Sequence, residues 1–298
     1  MNKILIKTYG FIGDILFASS IAEKLKDQYG HNCIVDYCIG FPQPYKLLKN
    51  NPWINEVYLS KVKGPRVTIP DEIKESDYSI IYELPECRQD IQPTIWYQKY
   101  CNIQNLTSEY KIYSDVDLDK SIKYELELLN PNKSKIIGYI ANWKNSTIKY
   151  TREEYNNGLK NIQEIMSHSQ LNTRDIDYIL NELNQEFILI PLGYDHNTTQ
   201  YHTALDSTST YTNTASIIKN CDLVIGQEGG LTNLAAGVGT KCIITTDFMH
   251  ALYGPKGIMK QFNEVKLGPK NMFPNSNHIH LDPFYSDNEI IKTIKNEI

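Results

Sequence analysis

Residues 221–240 read CDLVIGQEGGLTNLAAGVGT. The apolar run Leu223-Val224-Ile225 has the length and composition of a short buried strand. Gly226-Gln227-Glu228-Gly229-Gly230 breaks that run. From Leu231 onward the small and apolar residues Leu234, Ala235, Ala236 and Val238 recur at helical spacing, and Gly237 and Gly239 close the helix. Lys241 to Thr246 then starts another strand. Strand, glycine turn, helix and strand in this order predict one βαβ unit of a parallel sheet. The turn also leaves backbone N–H groups at a helix N-terminus, which suits an anion, phosphate above all. A tight turn in any α/β protein has the same local pattern, and on that pattern alone the two readings weigh equally.

The chain opens with a second copy of this arrangement. Lys3 to Lys7 reads as a strand, Thr8 to Asp14 as a turn containing Gly10 and Gly13, and Ile15 to Tyr29 as one helix. Ile15, Leu16, Ala18, Ile21, Ala22 and Leu25 form the helix's apolar stripe. Asp14 stands at its start, a favoured place for a carboxylate, and Gly30 ends it. Cys33 to Ile39 is the next strand. Further on, the sequence predicts a helix over 44–50, strands ending at Leu59 and Tyr82, and a helix over 92–101. Ser114 to Asn132 reads as polar and interrupted, with Asn130-Pro131-Asn132 as the linker.

The alternation restarts beyond that linker. Strands are expected over 135–140 and 187–191, and Thr151-Arg152-Glu153-Glu154 reads as a capping box opening a helix. A short helix over 214–220 leads into the stretch quoted first. A last helix over 287–298 carries Ile290, Ile291, Ile294 and Ile298 on one face. The expected fold is therefore α/β, with two doubly wound Rossmann-like domains facing across a cleft. Residues 1–132 form the first and 133–298 the second, with the last helix a candidate to pack back on the first domain.

Composition narrows the function. The chain has 298 residues, 41% of them hydrophobic, and a net charge of −5. That charge gives no support to nucleic-acid binding, which would need a local basic patch; Lys61, Lys63 and Arg66 in one loop are the one hint. The six cysteines include no CxxC pair, and several lie in apolar runs, so a reducing, cytoplasmic compartment is expected. The opening MNKILIKTYG is too short and too polar for a signal peptide, and no apolar run nears the ~20 residues of a membrane span. Peripheral membrane contact stays open. His278 and His280 share one face of a strand but lack an acidic or cysteine partner nearby, so they read as an outward face rather than a metal site. Asp115, Asp117 and Asp119 alternate without the glycine and glutamate of a calcium loop. No metal is expected.

Several segments, in order along nearly the whole chain, resemble family 9 glycosyltransferases, the heptosyltransferase-like branch of the GT-B fold. Ile12-Gly13-Asp14-Ile15-Leu16 and the tail Leu25-Lys26-Asp27-Gln28-Tyr29-Gly30 are similar to the family's first turn and helix. Asn51-Pro52-Trp53-Ile54-Asn55-Glu56-Val57 resembles its "Asn-Pro-Tyr-Ile-Asp-Glu-Val" segment. Lys149-Tyr150-Thr151-Arg152-Glu153 resembles "Lys-x-Trp-Pro-x-Glu". Asp222 to Gly226 and Glu228 to Ala236 resemble its "Ala-Asp-Leu-Val-Val-Gly" strand and "Asp-Ser-Gly-Pro-Met-His-Leu-Ala-Ala" helix start. This chain has Glu228 where the family has aspartate, Gly229 for serine or threonine, Asn233 for histidine, and Tyr150-Thr151 for Trp-Pro. Those positions line the donor side, so the departures bear on donor identity.

The resemblance implies an inverting, metal-independent enzyme with no cofactor. It would move a sugar from a nucleotide-diphosphate donor to an acceptor hydroxyl, in glycan or lipopolysaccharide-type synthesis. Asp14 is then the general base. Its other reading is a plain helix cap. Gly13 keeps the first turn open, and Gly229, Gly230 and Leu231 are candidate N–H donors to the diphosphate. Lys149 supplies positive charge in this reading and is a solvated lysine otherwise. Glu228 suits ribose or sugar hydroxyls rather than phosphate, and is otherwise a helix-start acid. Asn233 either donates to a phosphate or sugar oxygen or packs locally. Asp247, His250 and Tyr253 are held as donor contacts only. The alternatives are transfer to a hydroxylated DNA base, a non-catalytic nucleotide-sugar or glycan-binding protein on the same fold, and a nucleotide-sugar epimerase.

Overall fold

Lys3–Thr8 (β1) is an unbroken apolar-rich run with five of its six residues buried, as a strand covered on both faces requires. Around it lies a parallel sheet with Ile34–Ile39 (β2), Glu56–Leu59 (β3) and Ile80–Leu84 (β4), in the order β3-β2-β1-β4. A second parallel sheet holds Ile136–Ile140 (β5), Ile188–Leu192 (β6), Leu223–Gln227 (β7), Cys242–Thr245 (β8) and His278–His280 (β9), in the order β6-β5-β7-β8-β9. The computed structural model describes residues 2–8, 12–61, 67–85, 92–140, 175–192, 211–227, 229–245, 277–281 and 285–298. Strand order reverses at β1 in the first sheet and between β5 and β7 in the second. In such sheets the crevice at the reversal, beyond the strands' carboxyl ends, is where ligands bind.

The helices are Ile12–Ser19 (α1), Ile21–Tyr29 (α2), Tyr45–Lys49 (α3), Pro93–Tyr100 (α4), Val116–Leu129 (α5), Ile176–Asn184 (α6), Tyr211–Lys219 (α7), Gly230–Val238 (α8) and Asp287–Glu297 (α9). The sequence reading did not anticipate α6, and it differs in three further respects. The single helix expected over 15–29 is two. Ser19 Oγ donates to Leu16 O at 2.7 Å and Ser20 Oγ to Phe17 O at 2.8 Å. Adjacent hydroxyls drawing on backbone carbonyls bend or break a helix at such a place. Residues 116–129, read as polar and interrupted, form a helix capped by Asp115, whose carboxylate accepts from the Asp117 and Leu118 N–H groups. The last helix, a candidate to pack back on the first domain, has its main contact among the described residues within the second. It packs on α6, with Tyr178 Oη donating to Asn288 Oδ1 at 2.9 Å and Ile290 and Ile294 fully buried.

Helix α5 reaches across to the second half, where it lies against α7. There Lys219 Nζ donates to Asp119 Oδ2 at 2.7 Å and to Ser114 Oγ at 3.0 Å. Just before it, Ile112 N donates to Gly237 O at 2.8 Å. Helix α1 packs on α8, so one apolar core runs from Ile4 and Ile6 of β1 through Leu16 and Leu234 to Val224 and Ile244 of the second sheet. The helix expected from Thr151-Arg152-Glu153-Glu154 lies outside the described residues, as do Lys63 and Arg66 of the basic loop.

Candidate functional site

Both glycine turns leave strands at the points where the sheets reverse order. β1 ends at Thr8 and α1 carries Gly13 and Asp14 in its first turn; β7 ends at Gln227 and α8 begins at Gly230. Because α1 packs on α8, the two helix starts meet. A methyl carbon placed on Gly13 would lie 3.7 Å from Asn233 Nδ2. Gly13, Asp14 and Asn233, from opposite ends of the chain, thus share one place.

Asp14 is half-buried and its Oδ1 accepts from Tyr97 Oη at 3.2 Å. Tyr97 comes from α4, which packs on α1, and it is fully buried. Gln92 and Pro93 fix where α4 begins: Ile95 N donates to Gln92 Oε1 at 2.7 Å, and proline suits the first helical position. Sequence reasoning did not single out Tyr97. It is one of 21 tyrosines, and its partner lies far away along the chain.

Gly229 N–H donates to Thr232 Oγ1 at 3.0 Å, and that hydroxyl donates back to Gly229 O at 2.9 Å. Thr232 therefore performs the capping that a side chain at 229 would otherwise supply. The Gly229 N–H is engaged within the turn, while those of Gly230, Leu231 and Thr232 precede the first helical bond, Asn233 N to Gly229 O at 3.1 Å. Gly229 itself has an extended backbone, with φ 167°, and a methyl there would meet nothing within 4 Å among the described residues. Neither conformation nor packing demands glycine at this position.

Asn233 is buried, and its carbonyl accepts from Tyr110 Oη at 2.7 Å. Burial pushes the Tyr110 hydroxyl well above the ordinary tyrosine range, with Cys242 and Glu109 adding to the shift, so it stays protonated as a donor. Phe17 of α1 meets the Tyr110 ring edge-on, with centroids 5.1 Å apart. These contacts clamp the start of α8 to the first half.

Lys149 and Glu228 lie outside the described residues, as do Asp247, His250 and Tyr253. The histidine pair is not on an outward face. Both residues are partly buried, their rings lie 5.8 Å apart, and His278 Nε2 is 3.1 Å from Thr232 O of α8. Among the described residues no group of three or more His, Cys, Asp or Glu is placed to hold a metal ion. Asp115 is a helix cap and Asp119 an ion-pair partner. What the site brings together is a carboxylate oriented by a buried hydroxyl, an amide side chain, and a helix N-terminus with donors to spare.

No family model matches the sequence, and no curated protein matches it. Solved structures do match over nearly the full length. The E. coli ADP-heptose lipopolysaccharide heptosyltransferase II superposes with a TM-score of 0.63 at 10% identity, covering 100% of this chain and 98% of that one. A family 9 glycosyltransferase from Veillonella parvula gives 0.57 at 14% identity, covering 98% and 91%. E. coli heptosyltransferase WaaC, solved with ADP, gives 0.51 at 9% identity, covering 99% and 97%. The chain therefore has the GT-B fold of heptosyltransferase-like proteins: two Rossmann-like domains. The resemblance read from short motifs extends to the whole architecture.

Proposed function

We propose that the protein is a glycosyltransferase that moves a sugar from a nucleotide-diphosphate donor to an acceptor hydroxyl, with inversion and without a metal. The observation that carries this reading is the meeting of Asp14 and Gly13 on α1 with Asn233 and the N-terminal turn of α8. The fold supports it, and two of the similar structures are named for ADP-heptose or were solved with ADP.

In this mechanism Asp14 takes the proton from the acceptor hydroxyl as its oxygen attacks the anomeric carbon. The bond from that carbon to the diphosphate oxygen breaks on the opposite side, and the nucleoside diphosphate leaves with the electron pair. The N–H groups of Gly230, Leu231 and Thr232, with the partial positive charge of the α8 N-terminus, stabilise the charge that builds on it. Lys149 adds a full positive charge, Glu228 binds hydroxyls of ribose or sugar, and Asn233 donates to a phosphate or sugar oxygen. The acceptor is a glycan or another hydroxyl compound, and the chain works in the cytoplasm. No helix among the described residues is long and apolar enough to cross a membrane.

Thermal melting against nucleoside diphosphates and nucleotide sugars, with and without magnesium, tests the donor half of the proposal. One diphosphate is expected to raise the melting temperature equally in both conditions, by mass action. Asp14→Asn should keep that shift while transfer falls by roughly 10²–10⁴-fold, the usual contribution of a general base. Transfer left unchanged would remove Asp14 from the mechanism. Donor binding with no transfer by the wild-type protein would favour a non-catalytic sugar-nucleotide binder.

A further inference from the structure

A second concavity of about 310 Å³ lies at the far end of α1, lined by Ser19 and Ser20 where α1 gives way to α2. Asp14 is five residues back along the same helix, about 8 Å along its axis at ~1.5 Å per residue. Tyr110, which donates to Asn233 on the side of the transfer site, lines this concavity as well. The volume sits at the lower end of the roughly 300–1,000 Å³ range of small-molecule sites.

Two aromatic side chains line it and are held in place. Trp53 Nε1 donates to Tyr113 Oη at 3.0 Å, so the two side chains hold each other. The Trp53 main chain is pinned from below, its N–H donating to Asn51 Oδ1 at 3.0 Å while Asn51 Nδ2 donates to Ser19 O at 3.4 Å. Around the rings stand two carboxylates and two ammonium groups: Glu23, Glu109, Lys24 and Lys111. Lys111 Nζ lies 5.1 Å from the Tyr113 ring centroid. The side chains of Glu23, Lys24 and Glu109 make no hydrogen bond or ion pair among the described residues.

This chemistry selects its ligand. The charges balance, so an anion gains no net attraction and meets two carboxylates. A purely apolar guest would cover the part-buried Glu23 and Lys24 without offering them a partner. A neutral pyranose satisfies both demands: its C–H face covers an aromatic ring, and its paired hydroxyls donate to carboxylates and accept from ammonium groups. We propose that the Trp53–Tyr113 concavity is a neutral-saccharide binding site, separate from the Asp14–Asn233 site. It stands whether or not the protein transfers sugars.

Two-dimensional ¹H–¹⁵N NMR of the full chain tests it, with cellobiose, lactose and chitobiose as probes and ADP as the contrasting anion. The protein has three tryptophans, so the Trp53 indole N–H signal is identified by its loss in Trp53→Phe. At least one disaccharide is expected to move that signal in a saturable way. In Glu23→Gln/Glu109→Gln, which keeps both rings and the shape of the wall, the affinity should fall at least tenfold with the melting temperature retained. No movement with any of the three disaccharides overturns the proposal. So does equal affinity in the double variant, or a shift at Trp53 with ADP as large as with the sugars.

Discussion

The Asp14 carboxylate is met by a hydroxyl from another helix. Tyr97 is buried, comes from a different helix and ends with its hydroxyl 3.2 Å from Asp14 Oδ1. A hydrogen bond to a charged acceptor contributes roughly 1.5–3 kcal/mol, so Tyr97→Phe is expected to slow transfer by about tenfold or more. In the proposed mechanism the Michaelis constant for the donor stays as it is, because Tyr97 bonds Asp14. Steady-state kinetics check this, and an unaltered turnover number would leave Asp14 without need of Tyr97. Glycines make a second contrast. Gly229→Ala places a methyl where nothing lies within 4 Å among the described residues, so urea denaturation should detect a change within ~0.5 kcal/mol, while the proposed diphosphate binding should weaken as the methyl intrudes on its approach. Gly226→Ala places one 2.6 Å from Ile140 Cδ1, and overpacking of that kind costs about 1–3 kcal/mol. Asp14 and the 229–233 turn were legible in the sequence because turn, cap and helix are written in neighbouring residues. Tyr97 and the engagement of the Gly229 N–H by Thr232 were not. The first depends on a contact made only after folding, and the second on the rotamer of one hydroxyl.

Among the elements, the strands were the most legible, since parallel strands buried on both faces are continuous apolar runs. Helix α5 was not, and its composition says why. Of its 14 residues only Ile122 and Leu126 are buried, while Val116, Tyr124, Leu128 and Leu129 are exposed, so the apolar residues do not mark the buried face. Its start is set instead by Asp115, which satisfies two N–H groups. Asp115→Ala should destabilise the protein by about 1 kcal/mol, read from the urea midpoint, without affecting ligand binding. No change in the midpoint would mean that packing on α7 alone holds the helix. The break between α1 and α2 escaped the sequence reading for a related reason. The apolar stripe continues through Ser19 and Ser20, and only the hydroxyl contacts to Leu16 O and Phe17 O interrupt the coil.

Over the whole molecule, both Rossmann-like units could be anticipated from the repeated order of strand and helix, but the way they join could not. The last helix was a candidate bridge; among the described residues α1, α3, α5 and the segment around Ile112 make the joining contacts. Burial also sequesters the thiols, four of them in the shared core and Cys38 in a separate cluster with Leu5, Val67 and Tyr78. Cys33, Cys38, Cys101, Cys221 and Cys242 are all free and buried. Burial pushes Cys38 up to about 11 and Cys221 up to about 12, and raises Cys101 and Cys242 further. At pH 8 these groups carry almost no thiolate, the reactive form. Mass spectrometry after brief alkylation of the native protein should therefore find these five unmodified, and all of them labelled in denaturant. Rapid labelling of any in the native state would contradict this packing.

The main-chain bond from Ile112 to Gly237 sets a limit on hybrid proteins. A splice at the Asn130-Pro131-Asn132 linker looks natural on paper, since it falls between the two alternating patterns. Yet it would graft a foreign α8 beneath Ile112, where any residue larger than glycine at position 237 puts a carbon 2.4 Å from Ile112 Cγ1. It would also separate Asp119 from Lys219. Residues 110–129 touch both units: Tyr110 and Tyr113 meet Phe17 and Trp53 of the first, while Tyr110, Ile112 and Asp119 bond Asn233, Gly237 and Lys219 of the second. A working exchange has to keep a matched partner for this stretch on both sides.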